Sequence, residues 1–155
     1  DEGTTSEQKA GAAEAIENNI RRKMVEKVAV NPKYYEKMSA ILNKLIQDRQ
    51  KGVLSYKELL EKYIKLAKDV EHPEQNEDYP ESIRKSKALQ ALYDNVGGDE
   101  TLAVKLHKAV MNSKMSGFRG DSIKENRIKR ALFAILNDDA DVERLFKIIE
   151  KQEEY

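Results

Sequence analysis

Cysteine is absent from this chain. That excludes disulfides, a thiol nucleophile and thiolate metal sites, and it points to a reducing cytosol. Proline occurs three times and glycine seven times, a scarcity that suits long helices. No apolar run approaches the about 18 residues of a membrane span, and the first residues are too polar for a signal peptide. Histidine is nearly missing as well. His72 falls in an acidic loop and His107 in mid-helix, so neither has the clustered partners that a metal site needs, and no metal is expected. No stretch alternates apolar and polar residues with β-branched bias for long enough to make a strand.

What the chain does have is charge and helical periodicity. Charged residues make up 36% of 155 residues, against a usual ~25%. A single domain of this length buries ~70% of its unfolded surface. The low mean hydropathy of −0.76 suits disorder, but the apolar residues recur at helical spacing instead of being diluted. The chain begins at Asp1 without an initiator Met, and a piece of something longer is expected. Net charge is zero yet segregated. Lys105–Arg130 holds eight Lys/Arg against two acids, for +6, while Asp69–Glu81 holds six acids and no Lys or Arg. The segment Asn137–Tyr155 has seven acids and three bases, for −4. Such segregation shapes local fields even when the sum is zero.

The pattern predicts an all-α chain, a compact bundle of about seven helices. "DEGTTS" reads as the end of a linker. The first helix runs from about Glu7 to Val28, with Ile16, Ile20, Met24 and Val28 along one stripe. Asn31 caps the second helix and Pro32 takes its first position; Tyr35, Met38, Ile41, Leu42, Leu45 and Ile46 face inward and Gly52 stops it. Ser55 with Glu58 forms a capping box for the third, with Leu59, Tyr63, Leu66 and Val70 inward. After the acidic loop "EHPEQNEDYPE" comes a fourth helix around "SKALQALYDNV", ending at Gly97-Gly98. Asp99 caps a fifth, which buries Leu102, Leu106, Ala109 and Val110. Ser122 with Glu125 reads as a second capping box for a sixth, and Asp139 or Asp141 caps the last. There is no repeat of 20–50 residues.

Chemistry-bearing constellations are hard to find. The acids Asp138, Asp139 and Asp141 are explained by helix capping, and no serine or lysine shows nucleophile–base spacing. No catalytic residue is expected. The stretch "MSGFRGDSIKENRIKRAL" (115–132) raises more. A KH-type nucleotide clamp built on Gly117-Phe118-Arg119-Gly120 needs a sheet beside it, and a Walker A loop needs G-x-x-x-x-G-K-S/T after a strand. Neither condition is met. A helix N-terminus attracts anions and Arg119 would help, but Asp121 and Ser122 cap the same N–H groups and Asp121 repels phosphate. The glycines therefore read as a turn and the serine as the start of a helix.

The basic residues remain. Arg127 and Arg130 fall with Asn126 on an outer flank of the sixth helix, Lys129 points to the other side, and Lys114 and Arg119 in the preceding loop can join that flank. With Lys124 these six make a candidate DNA- or phosphate-binding set, since arginine forms forked bonds to phosphate or carboxylate. Arg21, Arg22 and Lys23 offer a secondary basic patch. The alternative is a solvated face that keeps the domain soluble. Phe118 reads equally as an interface anchor or as core packing of the loop.

The segments "AIENNIRR" (15–22), "VNPKYYEKMSAILNKLI" (30–46), "DYPESI" (78–83), "ALYDN" (91–95) and "GFRGDSIKENRIKRAL" (117–132) stand in the order found in another family. They resemble the extreme C-terminal region of the motor and nuclease (R, HsdR) subunit of bacterial type I restriction-modification enzymes. The likeness covers about Ala15 to Leu136, and Phe118 stands where tryptophan is expected. It implies residues 1–14 as linker from a preceding domain; residues 15–150 are expected as a helical C-terminal assembly domain, and 151–155 as an acidic tail that the resemblance does not place. The family's subunit is an ATP-dependent DNA translocase and endonuclease. Its nuclease and motor motifs, with their ATP and magnesium, lie outside this region, so no cofactor and no activity are expected of this chain. The resemblance implies docking onto the methyltransferase core of modification and specificity subunits, contact with double-stranded DNA, no membrane, and a bacterial cytoplasm. The alternative is a stand-alone, non-specific duplex-DNA-binding module.

Overall fold

Asn31 and Pro32 begin a helix for the reasons their side chains dictate: the Asn31 Oδ1 accepts from the Tyr34 N–H at 3.3 Å, and proline's missing N–H costs nothing in a first turn. The computed structural model describes residues 5–155. Among them are seven α-helices and no strand: α1 Ser6–Lys27, α2 Pro32–Lys51, α3 Tyr56–Glu71, α4 Lys87–Asn95, α5 Glu100–Ser113, α6 Ser122–Leu136 and α7 Asp139–Ile149, with a 3-10 turn at Pro73–Gln75. The all-α reading and the helix count hold. The Ser55–Glu58 capping box is present, and Asp99 caps α5 by accepting from Leu102 N–H at 3.0 Å. Thr5 and Gln8 form a further box at α1. Helix α1 begins at Ser6, one residue before the expected start at about Glu7; residues 1–4 lie outside the described residues.

Two caps are corrected. Asp121, not Ser122, caps α6, accepting from the Ile123 and Lys124 N–H groups, while Glu125 reaches back to the Gly120 N–H at 2.8 Å. Asp138, one residue before the expected Asp139 or Asp141, caps α7 through the Asp141 N–H. In each case the start slips by one residue along a run of equally competent caps, and the residue with extended backbone takes the role.

The chain divides into two compact units. The first takes in the described part of Asp1–Val28 together with Tyr35–Pro73. Its core comes from Ala13, Ile20 and Met24 of α1, Tyr35, Met38, Leu42 and Leu45 of α2, and Leu59, Tyr63, Leu66 and Val70 of α3. The predicted α1 stripe is rotated: Val28 is exposed and Ala13 and Glu17 are buried. Steps of four residues drift by about 40° per turn, so a stripe taken from Ile16 to Val28 wanders off the face. Glu17 is buried because Arg49 of α2 meets its carboxylate with two N–H groups, at 2.7 and 3.0 Å, and the Tyr63 hydroxyl donates to the same group. Burial, and next the Glu17 hydrogen bond, push the Tyr63 phenol well above its usual range.

The second unit holds Ala29–Tyr34 and Glu74–Tyr155. Here α4 packs on α5, α5 on α6, α6 on α7 and α7 back on α4, closing a ring of four helices. Ala88, Leu92, Leu106, Val110, Ile128, Leu132, Leu145 and Ile149 fill it. The acidic loop is less solvated than its charge suggests, since Asn76 and Tyr79 are buried, as is Ile83 just beyond it. Tyr79 stacks on Tyr34 and donates to Asp94, which also accepts from Asn31 at 2.8 Å. Asn95 donates to the Asn31 side chain at 2.8 Å. "VNPKYY", "DYPESI" and "ALYDN" thus supply one polar and aromatic network.

Candidate interaction surface

The turn between α5 and α6 is set by its glycines. Gly117 and Gly120 hold φ of 70° and 83°, a region that L residues with side chains rarely enter. Between them Phe118 turns inward and is 1% exposed, edge-on to Phe146 of α7 at 6.4 Å. Of its two readings, core packing is the one the structure bears out. The ring also carries Arg119 on its outer side, with the guanidinium carbon 4.5 Å from the centroid.

Arg119 is committed further. Its Nε and one terminal nitrogen donate to the carbonyls of Glu150 and Gln152 at 2.7 and 2.6 Å, placing a cation at the C-terminal end of α7. Arg127 donates to the Ser113 carbonyl at the end of α5 (3.0 Å), and Lys124 donates to the Ser116 carbonyl (2.8 Å). Lys114 reaches the Glu154 carbonyl at 3.2 Å. Lys129 pairs with Glu143 at 3.1 Å and lies over the Phe146 ring. Arg130 is exposed, with no bond to another described residue. The structure therefore brings the six candidates together in the second unit, five of them tying α5, α6, α7 and the chain's last residues together. Arg21, Arg22 and Lys23 lie exposed on α1 in the first unit, where Arg21 meets Asn43 at 3.4 Å and Lys23 pairs with Glu71.

Residues 151–155 are anchored as well. Gln152 is buried and donates to the carbonyls of Val30 and Ile148 at 2.7 and 3.0 Å. Glu154 closes the start of α4, accepting from the Ser86 hydroxyl at 2.5 Å and the Ala88 N–H at 3.1 Å. Tyr155 is 9% exposed with its hydroxyl 2.6 Å from His107 Nδ1. Desolvation chiefly lowers the His107 pKa, and burial raises that of Tyr155. One signal for this anchoring was in the sequence: Leu145, Ile148, Gln152 and Tyr155 continue the spacing of three and four residues past the end of α7.

Sequence reasoning also missed apolar groups outside the core. Ile123 and Phe133, at 81% and 42% exposure, share the outer side of α6 with Arg127 and Arg130; Met111 of α5 and Met115 in the following turn are also half exposed. Their signal is phase: Ile123 sits opposite Ile128 and Leu132 on the helical wheel, and Phe133 falls on a flank of the buried stripe, about 100° from Leu132. Among the described residues, no group of three or more His, Asp or Glu side chains is arranged to hold a metal, and no helix is long and apolar enough to cross a membrane. No protein-family profile, curated protein or solved structure matches the chain.

Proposed function

We propose that this chain is a non-catalytic docking module. On the family resemblance, we assign it to the C-terminal end of the R subunit of a bacterial type I restriction-modification enzyme. There it joins the motor subunit to the core of modification and specificity subunits in the bacterial cytoplasm, close to the DNA. It carries no cofactor of its own; ATP and magnesium serve the motor and nuclease parts of that subunit.

The observation that carries the docking reading is the division of labour among the basic residues. Lys114, Arg119, Lys124 and Arg127 spend donors on main-chain carbonyls within their own unit, and Lys129 on a carboxylate. What α6 turns outward is arginine flanked by exposed apolar side chains. Protein interfaces combine arginine with apolar anchors in this way, whereas phosphate-gripping surfaces rely on rows of free cations. Mixing the chain with the assembled core and resolving the mixture by size tests it: a stoichiometric complex is expected, and separate elution refutes the assignment.

Non-specific duplex binding is the second reading, favoured by Arg130 and by the remaining donors of Arg127. It predicts micromolar binding to a non-specific duplex without any core subunit.

A further inference from the structure

Ile123, Arg127, Arg130 and Phe133 follow one another along the outer side of α6, with Asn126 and Ala134 beside them; all six are exposed and none is acidic. At a rise of 1.5 Å per residue the two apolar ends stand about 15 Å apart, with the arginines between them. Met115 lies in the preceding turn between Ser113 and Ser116, whose carbonyls hold Arg127 and Lys124. Its side chain is half exposed and, like other methionines, adapts to a partner's shape.

We propose that this face of α6 receives an acidic amphipathic helix belonging to the methyltransferase core. The occupant presents carboxylates about one turn apart to Arg127 and Arg130, and apolar side chains on either side to Ile123 and Phe133. The proposal deepens the docking reading and rests on it. Charge and polarity together select the occupant. A phosphate backbone satisfies the arginines but sets Ile123 and Phe133 against a polar, charged surface where they gain nothing. An apolar helix without acids buries the arginines unpaired, which is costly. An acidic amphipathic helix satisfies both kinds of group.

The test uses the chain and the assembled core. Five proteins are compared for affinity: wild type, Ile123→Asp, Phe133→Asp, Arg130→Glu and, as the conservative control, Arg130→Lys. All three positions are exposed, and circular dichroism verifies the fold of each variant. Each substitution is expected to weaken the complex at least tenfold, with Arg130→Lys much milder. A photo-crosslinker at position 123 should then label a core segment in which acidic residues lie between apolar ones. If the wild type forms no complex, the docking reading fails and takes this proposal with it. If it forms one that all three disruptive variants share unchanged, docking stands and the proposed face is wrong. Crosslinking to DNA, with Arg130→Glu damaging and Ile123→Asp neutral, makes the face a phosphate contact and also overturns the proposal.

Discussion

Arg119 reaches across 31 residues of sequence to the Glu150 carbonyl, and its guanidinium covers the ring of Phe118 on the way. One side chain thus fastens the α5–α6 turn to the end of α7. Arg119→Ala removes two charge-assisted bonds and a cation at a helix C-terminus; because the group is exposed, the expected cost is about 1–2 kcal/mol. Urea denaturation of both proteins measures it, and an unchanged midpoint would show that the carbonyls do equally well with water.

Removing residues 152–155 deletes the Gln152, Glu154 and Tyr155 contacts together and leaves the start of α4 with its Ser86 cap but without the Glu154 bonds to the Ser86 hydroxyl and the Ala88 N–H. The expected loss is at least about 2 kcal/mol, from the lost hydrogen bonds at about 1 kcal/mol plus a buried aromatic side chain. Thermal melting of the shortened chain checks this, with a pronounced fall in Tm expected.

His107 gives the fold a pH signature. Its folded-state pKa lies below the ordinary 6.5 because of desolvation, with Lys114 pushing the same way and Glu154 opposing. The unfolded chain therefore takes up the proton first, and stability is lost as pH falls below about 6.5. Above that value the neutral ring contributes in full. His107→Gln should flatten the fall in urea midpoint between pH 8 and pH 5, so that the difference between wild type and variant changes with pH; parallel curves would contradict the assignment.

Glu17 and Arg49 form a nearly buried pair joined by Tyr63. Arg49→Met leaves the carboxylate without its cation and is expected to cost roughly 3 kcal/mol. Replacing both partners with methionine should recover much of that, since the buried charge is then gone as well. Chemical denaturation of the two variants decides it.

The local devices of this fold were legible because each is short-range. Asn31 with Pro32, Ser55 with Glu58, and Asp99 all act within four residues of themselves, and the helices begin where they stand. Long-range pairing was not legible. That Glu17 should be buried follows only once Arg49, 32 residues on, is in place. The bonds made by the basic stretch were hidden for the same reason: periodicity shows which way Arg127 leaves the helix, but not that the Ser113 carbonyl waits there. Burial of Tyr79 in so acidic a loop likewise depends on Tyr34 and Asp94.

With five of the six candidate cations engaged, duplex DNA is left mainly Arg130 and part of Arg127. Neutralising one or two phosphates gives a log K against log[salt] slope of about −0.9 to −1.8. Fluorescence anisotropy with a non-specific duplex should show weak binding of that shallow slope. Tight binding with a slope of about −3 or steeper would mean that the carbonyl-bound side chains swing out to phosphate.

The most direct test of docking is competition. Intact R subunit and the methyltransferase core are assembled on DNA bearing their recognition site, and this chain is titrated in while ATP hydrolysis is followed. If the chain docks where the subunit docks, an excess displaces the subunit and hydrolysis falls toward background, while Ile123→Asp competes at least tenfold less well. Hydrolysis that stays constant under a large excess of folded chain would contradict the account, since the subunit would then be held to the core by some other part.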